Sequence, residues 1–272
     1  MSKPEATREL ARQIRAHTLR MVHAANASHV GTGLSMADIL AVLYGGVLRV
    51  DPKEPGWAGR DRLVVSKGHG AAALYAALAA SGFFEFARLD TFCRDGTALA
   101  GHVSHHVPGV DFSTGSLGHG LSLACGVALG FKRDAHAGRA YAILSDGECD
   151  EGSIWEAALF APHHQLDNLV AIVDYNRIQS FGSVAEVLEL EPFADKWAAF
   201  RWQVDVVDGH DHAALAAAFA AAPRATGRPT VIIANTVKGK GVDFMEGELL
   251  WHYRSPDPAQ LEAALRGIGE AP

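Results

Sequence analysis

Cysteine is scarce: the 272 residues hold three, Cys93, Cys125 and Cys149. An odd number without metal-ligand spacing speaks against a disulfide framework or a cysteine metal site. It reads as free thiols in a reducing cytoplasm. Long hydrophobic runs are also missing. The run Ala71–Ala80, at about ten residues, is too short to span a bilayer, which excludes a membrane helix. No such run lies behind a basic N-terminus, so no signal peptide is expected. Positive charge is in deficit, with 24 Lys and Arg against 31 Asp and Glu and a net charge of −7. That balance argues against a nucleic-acid backbone as the main partner. Charged residues are only 20% and hydrophobic ones 49%, which excludes disorder as the main state, because there is ample apolar surface to bury. The length allows one large domain or two small ones. What the chain has in excess is glycine, 28, and histidine, 14, and both fall in the same stretches.

The apolar pattern organises the rest. Leu10, Ile14, Leu19 and Val22 predict a helix over 5–24. Ser35 with Asp38 has the spacing of a capping box, which predicts a second helix over 36–48. Leu63–Ser66, Ala140–Ser145, Leu169–Asp174, Val204–Val207 and Thr230–Ala234 read as short strands. Most lead through a glycine or asparagine turn into a helical or polar segment. This alternation predicts an α/β fold, a mainly parallel sheet with helices on both faces. No linker and no internal repeat divide the chain. It is expected to form a single domain over 1–272, with about 245–272 a less ordered C-terminal loop and extension. Pro162 should end or kink the helix it falls in.

In parallel sheets ligands bind beyond the carboxyl ends of the strands. The residues expected there are 66–69, Asp146-Gly147, Asn176 and 235–241. Asp146 leaves a buried strand with a hard carboxylate oxygen, and Gly147 lets backbone N–H groups approach a phosphate. Asn176, thirty positions later at the next strand end, offers an amide oxygen, and a backbone carbonyl such as that of Ile178 a third. Magnesium takes such oxygen ligands together with phosphate oxygens. By themselves the two residues read equally as a turn aspartate and a turn asparagine.

Longer segments carry a resemblance. Asp146-Gly147, then Glu151-Gly152-Ser153-Ile154-Trp155-Glu156-Ala157, then Asp174-Tyr175-Asn176-Arg177-Ile178 resembles the thiamin diphosphate motif of the transketolases. Ser28-His29 before Gly31-Thr32, the strand ending in His69, Gly101-His102, Thr114–Gly118, Thr236–Gly241 and Trp251-His252 are similar to further segments of that family, in order. The likeness runs from about residue 8 to about residue 256. It covers only the diphosphate-binding module, so it implies the N-terminal subunit of a split transketolase. Its partner would be a separate C-terminal subunit with the pyrimidine-binding module, assembled as an α2β2 heterotetramer.

The resemblance implies thiamin diphosphate and Mg2+ (or Ca2+ or Mn2+ in its place) as cofactors. The metal ligands would be Asp146, Asn176 and the carbonyl of Ile178. Thr32, His69, Gly115, Ser116, Leu117, Gly147, Glu148, Asn176, Lys238 and His252 would contact the cofactor. His29, His69, His102 and His252 would surround the thiazolium and the donor sugar, and Glu151 would lie between modules and couple paired sites. The implied reaction moves a two-carbon ketol unit from a ketose or ketose phosphate, such as a pentulose phosphate, to an aldose. Imidazoles suit it, because they donate to a developing alkoxide and shuttle protons near neutral pH.

Some positions depart from the family pattern. Ser145 replaces the first glycine of Gly-Asp-Gly, and Val30 stands where proline is frequent. His119 and Tyr253 stand where glutamine and glycine are usual, and they point to an altered substrate channel. His105, His106, His163, His164, His210 and His212 have no motif position and read as loop residues. Cys93 and Cys125 fall in helical apolar patterns and read as core. Cys149 reads as a buried thiol, and Trp155, Trp197, Trp202 and Trp251 as packing or interface. Two other readings remain: a different thiamin enzyme, such as a 2-oxo acid dehydrogenase α subunit or a deoxyxylulose phosphate synthase, and a non-catalytic partner-binding module.

Overall fold

The computed structural model describes residues 3–222 and 227–271. The outermost residues of the expected 1–272 domain lie outside them. Among the described residues five strands run in parallel: β1 (Arg62–Val65), β2 (Ala140–Ser145), β3 (Leu169–Tyr175), β4 (Gln203–Asp208) and β5 (Thr230–Asn235). Their order is β1-β2-β3-β5-β4. Among the described residues ten α-helices surround them: α1 (Lys3–Ala24), α2 (Val30–Ser35), α3 (Ala37–Val42), α4 (Ala71–Ala80), α5 (His119–Arg133), α6 (Gly152–His163), α7 (Val184–Val187), α8 (Phe193–Ala199), α9 (His212–Ala221) and α10 (Pro258–Gly267). The expected α/β fold with a parallel sheet is what forms.

Alternate strand residues face opposite sides of a sheet, and the core divides accordingly. Val65, Tyr141, Ile143, Val170, Ile172 and Ile232 join one cluster with residues of α1, α3, α4 and α9. Val64, Ala142, Leu144, Ala171, Val173 and Ile233 join a second with residues of α5, α6 and α8. The central strand β3 is buried along its whole length, whereas β4, at the edge, is buried only in part.

Several local expectations fail for identifiable reasons. The capping box at Ser35 does not form. Ser35 is the last residue of α2, and its hydroxyl donates to Asp174 Oδ2 at 2.6 Å, with Thr32 O also within reach at 3.0 Å. Asp38 turns instead to Arg15, His210 and His212. A long-range charge partner outweighs a local cap. The helix expected over 36–48 is α3 followed by a π-helical turn, Leu43–Val47, in which Gly46 has φ 143°. Cys93 is exposed in a turn with φ 57°, not in a helical core, whereas Cys125 and Cys149 are buried. The C-terminal stretch carries more structure than a loop. Asp257 and Gln260 form a capping box, and α10 buries Ala264 and Leu265 in the core that α1 shares. Pro162 is the penultimate residue of α6, which ends at His163.

Candidate functional site

The site is built on a buried ion pair at the strand ends. Lys67, just after β1, and Asp174, near the end of β3, are both 0% exposed and paired. Asp174 also accepts from Ser35 Oγ of α2 and from Thr236 Oγ1 after β5. Burial pushes this carboxyl up, but the Lys67 charge and these hydrogen bonds outweigh it and hold it below the ordinary range. Four segments are thereby pinned at one point. The sequence points to these positions as a cap, motif members or a strand end, not to this contact among them. Each is an ordinary polar residue until the fold makes them neighbours.

Above this pair lies a cavity of about 60 Å3, lined by Thr32, His69, Leu117, Asp146, Gly147, Asn176, Ile178, Lys238 and His252, all expected site residues, and by Ser145, Gln179 and Ser180. Asp146 caps the 3-10 turn after β2. Its Oδ1 accepts from Gly147 N at 2.8 Å and its Oδ2 from Arg177 N at 2.5 Å. Burial, with the Asp174 charge nearby, raises its carboxyl to about 6. Among the described residues Asp146 has no ion-pair partner within salt-bridge distance, so a buried carboxylate is left facing the cavity. Asn176 Oδ1 accepts from Ile178 N at 3.1 Å. The Ile178 carbonyl accepts from Lys238 Nζ at 2.9 Å, and the same ammonium lies 2.9 Å from His252 Nδ1. Burial lowers the Lys238 amine to about 8.

The imidazoles gather at one end. His29 lies 5.2 Å from His69, 5.1 Å from His252 and 5.8 Å from His102, ring centre to ring centre. His29 has φ 74°, and its N–H donates to His252 O at 3.0 Å, which ties the start of α2 to the segment after β5. Burial holds His69 well below its usual value, and it lowers His29 to about 4 and His252 to about 3, helped by nearby positive charge. All three are neutral at pH 7, with one donor and one acceptor nitrogen each.

Gly115 lies against His102, where an added Cβ would be 3.3 Å from the ring, and Ser116 is exposed beside it. Glu151 is exposed at the start of α6. Glu148 is placed differently from a cofactor contact. It is fully buried, and its carboxylate accepts from Ser66 Oγ, from Gly118 N at 2.8 Å and from Ser145 N at 3.3 Å. It shapes the turn before α5, where Gly118 has φ 86°, rather than lining the cavity. The close approach there needs glycine too, because a Cβ on Gly120 would come within 2.3 Å of Ser66. Of the histidines without a motif position, His212 is buried and His210 half-buried, both on Asp38.

The donors around Asp146 suit a hard cation: one carboxylate, one amide oxygen and one carbonyl oxygen. Among the described residues no group of three or more His, Cys, Asp or Glu could hold a metal, so the amide and the carbonyl are needed. Gly147 is the cradle on the other side, where an added Cβ would press on Gln179 at 3.0 Å. Among the described residues no helix is long and apolar enough to cross a membrane.

Residues 6–253 match the family model described as transketolase, thiamine diphosphate binding domain. The chain belongs to the transketolase family. It is 48% identical over 240 residues to the 6-deoxy-6-sulfo-D-fructose transketolase subunit SqwG of Clostridium sp. (strain MSTE9), covering 88% of this chain and 87% of that one. It is 41% identical over 256 residues to an apulose-4-phosphate transketolase subunit of Phocaeicola vulgatus, covering 94% and 91%. The transketolase of Campylobacter jejuni superposes with a TM-score of 0.90 at 31% identity, over all of this chain and 43% of that one. The transketolase of Leishmania mexicana gives 0.91 at 30%, over 97% and 41%. The chain thus spans about two-fifths of these transketolase structures, and nearly the full length of the two relatives named as subunits.

Proposed function

We propose that this chain is the thiamin diphosphate-binding subunit of a split transketolase, which moves a two-carbon ketol unit from a ketose or ketose phosphate to an aldose. The observation that carries the reading is the meeting of Asp146, Asn176, the Ile178 carbonyl, Lys238, His69 and His252 in one cavity at the carboxyl ends of β1, β2, β3 and β5. Residues 1–272 would act as one binding domain. Asp146, Asn176 and Ile178 would hold a divalent cation, with Mg2+ the natural choice for an all-oxygen set. Gly147 would offer its N–H to the diphosphate, and Lys238 would neutralise it. When bound, thiamin diphosphate supplies a nucleophilic carbon and an electron sink for carbon–carbon cleavage.

The chain's own part is positioning and proton traffic. The neutral imidazoles of His29 and His69 each offer one N–H to an oxygen that gains charge and one lone pair to a hydroxyl that loses a proton, whereas His252, whose Nδ1 accepts from the Lys238 ammonium at 2.9 Å, offers an N–H. Tilted and edge-to-face contacts at 5–6 Å between ring centres hold the three rings against one another as one cluster. His102, exposed on the rim, would meet the sugar farther out. Leu117 and Gly115 would lie against the cofactor's pyrimidine ring.

The cavity is one wall of a site. The two similar proteins of near-equal length are themselves named as transketolase subunits, which supports a separate partner with the pyrimidine-binding module and, on two-fold pairing, an α2β2 heterotetramer. Exposed Glu151 would stand in that interface. Three free thiols fit a cytoplasmic setting. The test is reconstitution. The purified chain with thiamin diphosphate and Mg2+ should transfer no ketol group, and adding the partner subunit should produce transfer from a ketose phosphate or a sulfonated ketose. Pyruvate decarboxylation without ketol transfer would reject the reading.

A further inference from the structure

The loop after β5 carries Lys238 into the cavity, and its backbone is gripped from behind. Val237 N donates to His210 Nε2 at 2.8 Å, and Lys240 O accepts from Arg15 Nε at 3.0 Å. Both gripping side chains converge on one carboxylate. Asp38 Oδ2 lies 2.6 Å from His210 Nδ1, and Asp38 also holds the guanidinium of Arg15 through both oxygens. Gly239 N, donating to Gly31 O at 2.9 Å, closes the loop on α2. The tautomer of His210 follows. Its Nε2 accepts the Val237 N–H, so the ring proton sits on Nδ1 and is given to Asp38.

We propose that His210, oriented by Asp38 and working with Arg15, is a positioning residue that holds the Val237–Lys240 backbone so that the Lys238 ammonium reaches the cavity. This rests on the reading of Lys238 as a cofactor contact. Lys238 is 2% exposed, and its long flexible stem has no fixed direction of its own. The ammonium can meet the Ile178 carbonyl and His252 only if the backbone on either side is fixed. His212 shares Asp38, at 2.9 Å, but its other nitrogen goes to Thr7 Oγ1 at 2.8 Å. It touches Asp38 without touching the loop, and so provides a natural control.

The test is lysine acylation of the full chain with acetic anhydride at fixed pH, read residue by residue by mass spectrometry. Lys67, also fully buried, reports general loosening in the same molecule. His210→Asn keeps a donor for Asp38 but is too short to reach Val237. It should raise the Lys238 to Lys67 labelling ratio at least fivefold. His210→Phe, which loses both bonds, should raise it at least as much. In His210→Gln the amide oxygen and nitrogen can replace the two ring nitrogens, and the ratio should stay within twofold of the parent. His212→Phe should leave the ratio unchanged even where it lowers the melting temperature. An unchanged ratio in both His210→Asn and His210→Phe, or an equal rise in His212→Phe, overturns the proposal. The assay uses no cofactor, substrate or partner. Its failure would therefore leave the transketolase reading standing, and failed reconstitution would leave the hold on Lys238 measurable.

Discussion

Replacing Lys67 by Met strands the Asp174 carboxylate in the centre of the fold. Both partners of that pair are 0% exposed, so no water is at hand to solvate the remaining charge. Breaking a buried pair from one side costs about 3–5 kcal/mol, because the uncompensated charge stays behind. At about 2–4 °C of melting temperature per kcal/mol for chains of this class, the loss is about 6–20 °C. The hydroxyls of Ser35 and Thr236 still donate to Asp174, which puts the expected value toward the lower half of that range. Adding Asp174→Asn removes the stranded charge and keeps one oxygen as acceptor, while its NH2 can donate to the other hydroxyl. The double variant should recover more than half of the loss. Thermal unfolding by circular dichroism and chemical denaturation of the four proteins in the cycle measure this. If the double variant melts no higher than Lys67→Met, the penalty is not an unpaired charge, and the ion pair is not the anchor of the strand ends.

Asp146→Ala should abolish Mg2+-dependent binding of thiamin diphosphate to the reconstituted protein, since the oxygen set loses its one carboxylate; calorimetry that finds unchanged affinity would remove Asp146 from the metal site. Glu148→Gln should weaken the fold by about 1–3 kcal/mol, because Gly118 N and Ser145 N donate to different oxygens, and an NH2 in place of either oxygen leaves one buried N–H unsatisfied. A melting temperature equal to the parent's would refute it. Burial lowers His29 from its ordinary value of 6.5 to about 4, so the fold favours the neutral ring. That contribution to stability is complete above pH 6.5 and is lost as the pH falls toward 4. His29→Asn should therefore flatten the decline of melting temperature between pH 6.5 and 4, and an unchanged slope would exclude His29 as a source.

Much of this protein is legible without coordinates. Short apolar runs ending in glycine or asparagine turns mark parallel strands, and the residues after them converge by the geometry of such sheets. That logic brings Asp146, Asn176 and Lys238 to one crevice from spacing alone. Glu148 shows where the logic stops: it neighbours Gly147 in sequence, yet its side chain turns inward to Gly118 and Ser66. A strand-end position fixes a backbone's place but not the direction of the next side chain.

A local signal sufficed at the end of α6, which stops one residue after Pro162, but the Asp257–Gln260 cap lies in a stretch expected as a loop. Local signals failed where a distant group competes. Ser35 and Asp38 have capping-box spacing, but Asp174 lies 139 positions from Ser35 and His212 lies 174 from Asp38, and these take the two side chains instead. Leaving a buried polar or charged group without a partner is costly, so its satisfaction outranks a local cap. The same cause hid Lys67, His210 and Arg15. Each carries no local pattern, because its partner is set by how the chain closes. Residue order alone sets the alternation of strands and helices and the chemical types at the strand ends. Which buried charges meet, and with them which side chains line the cavity and which hold it from behind, follows from long-range packing, because their partners lie far apart along the chain.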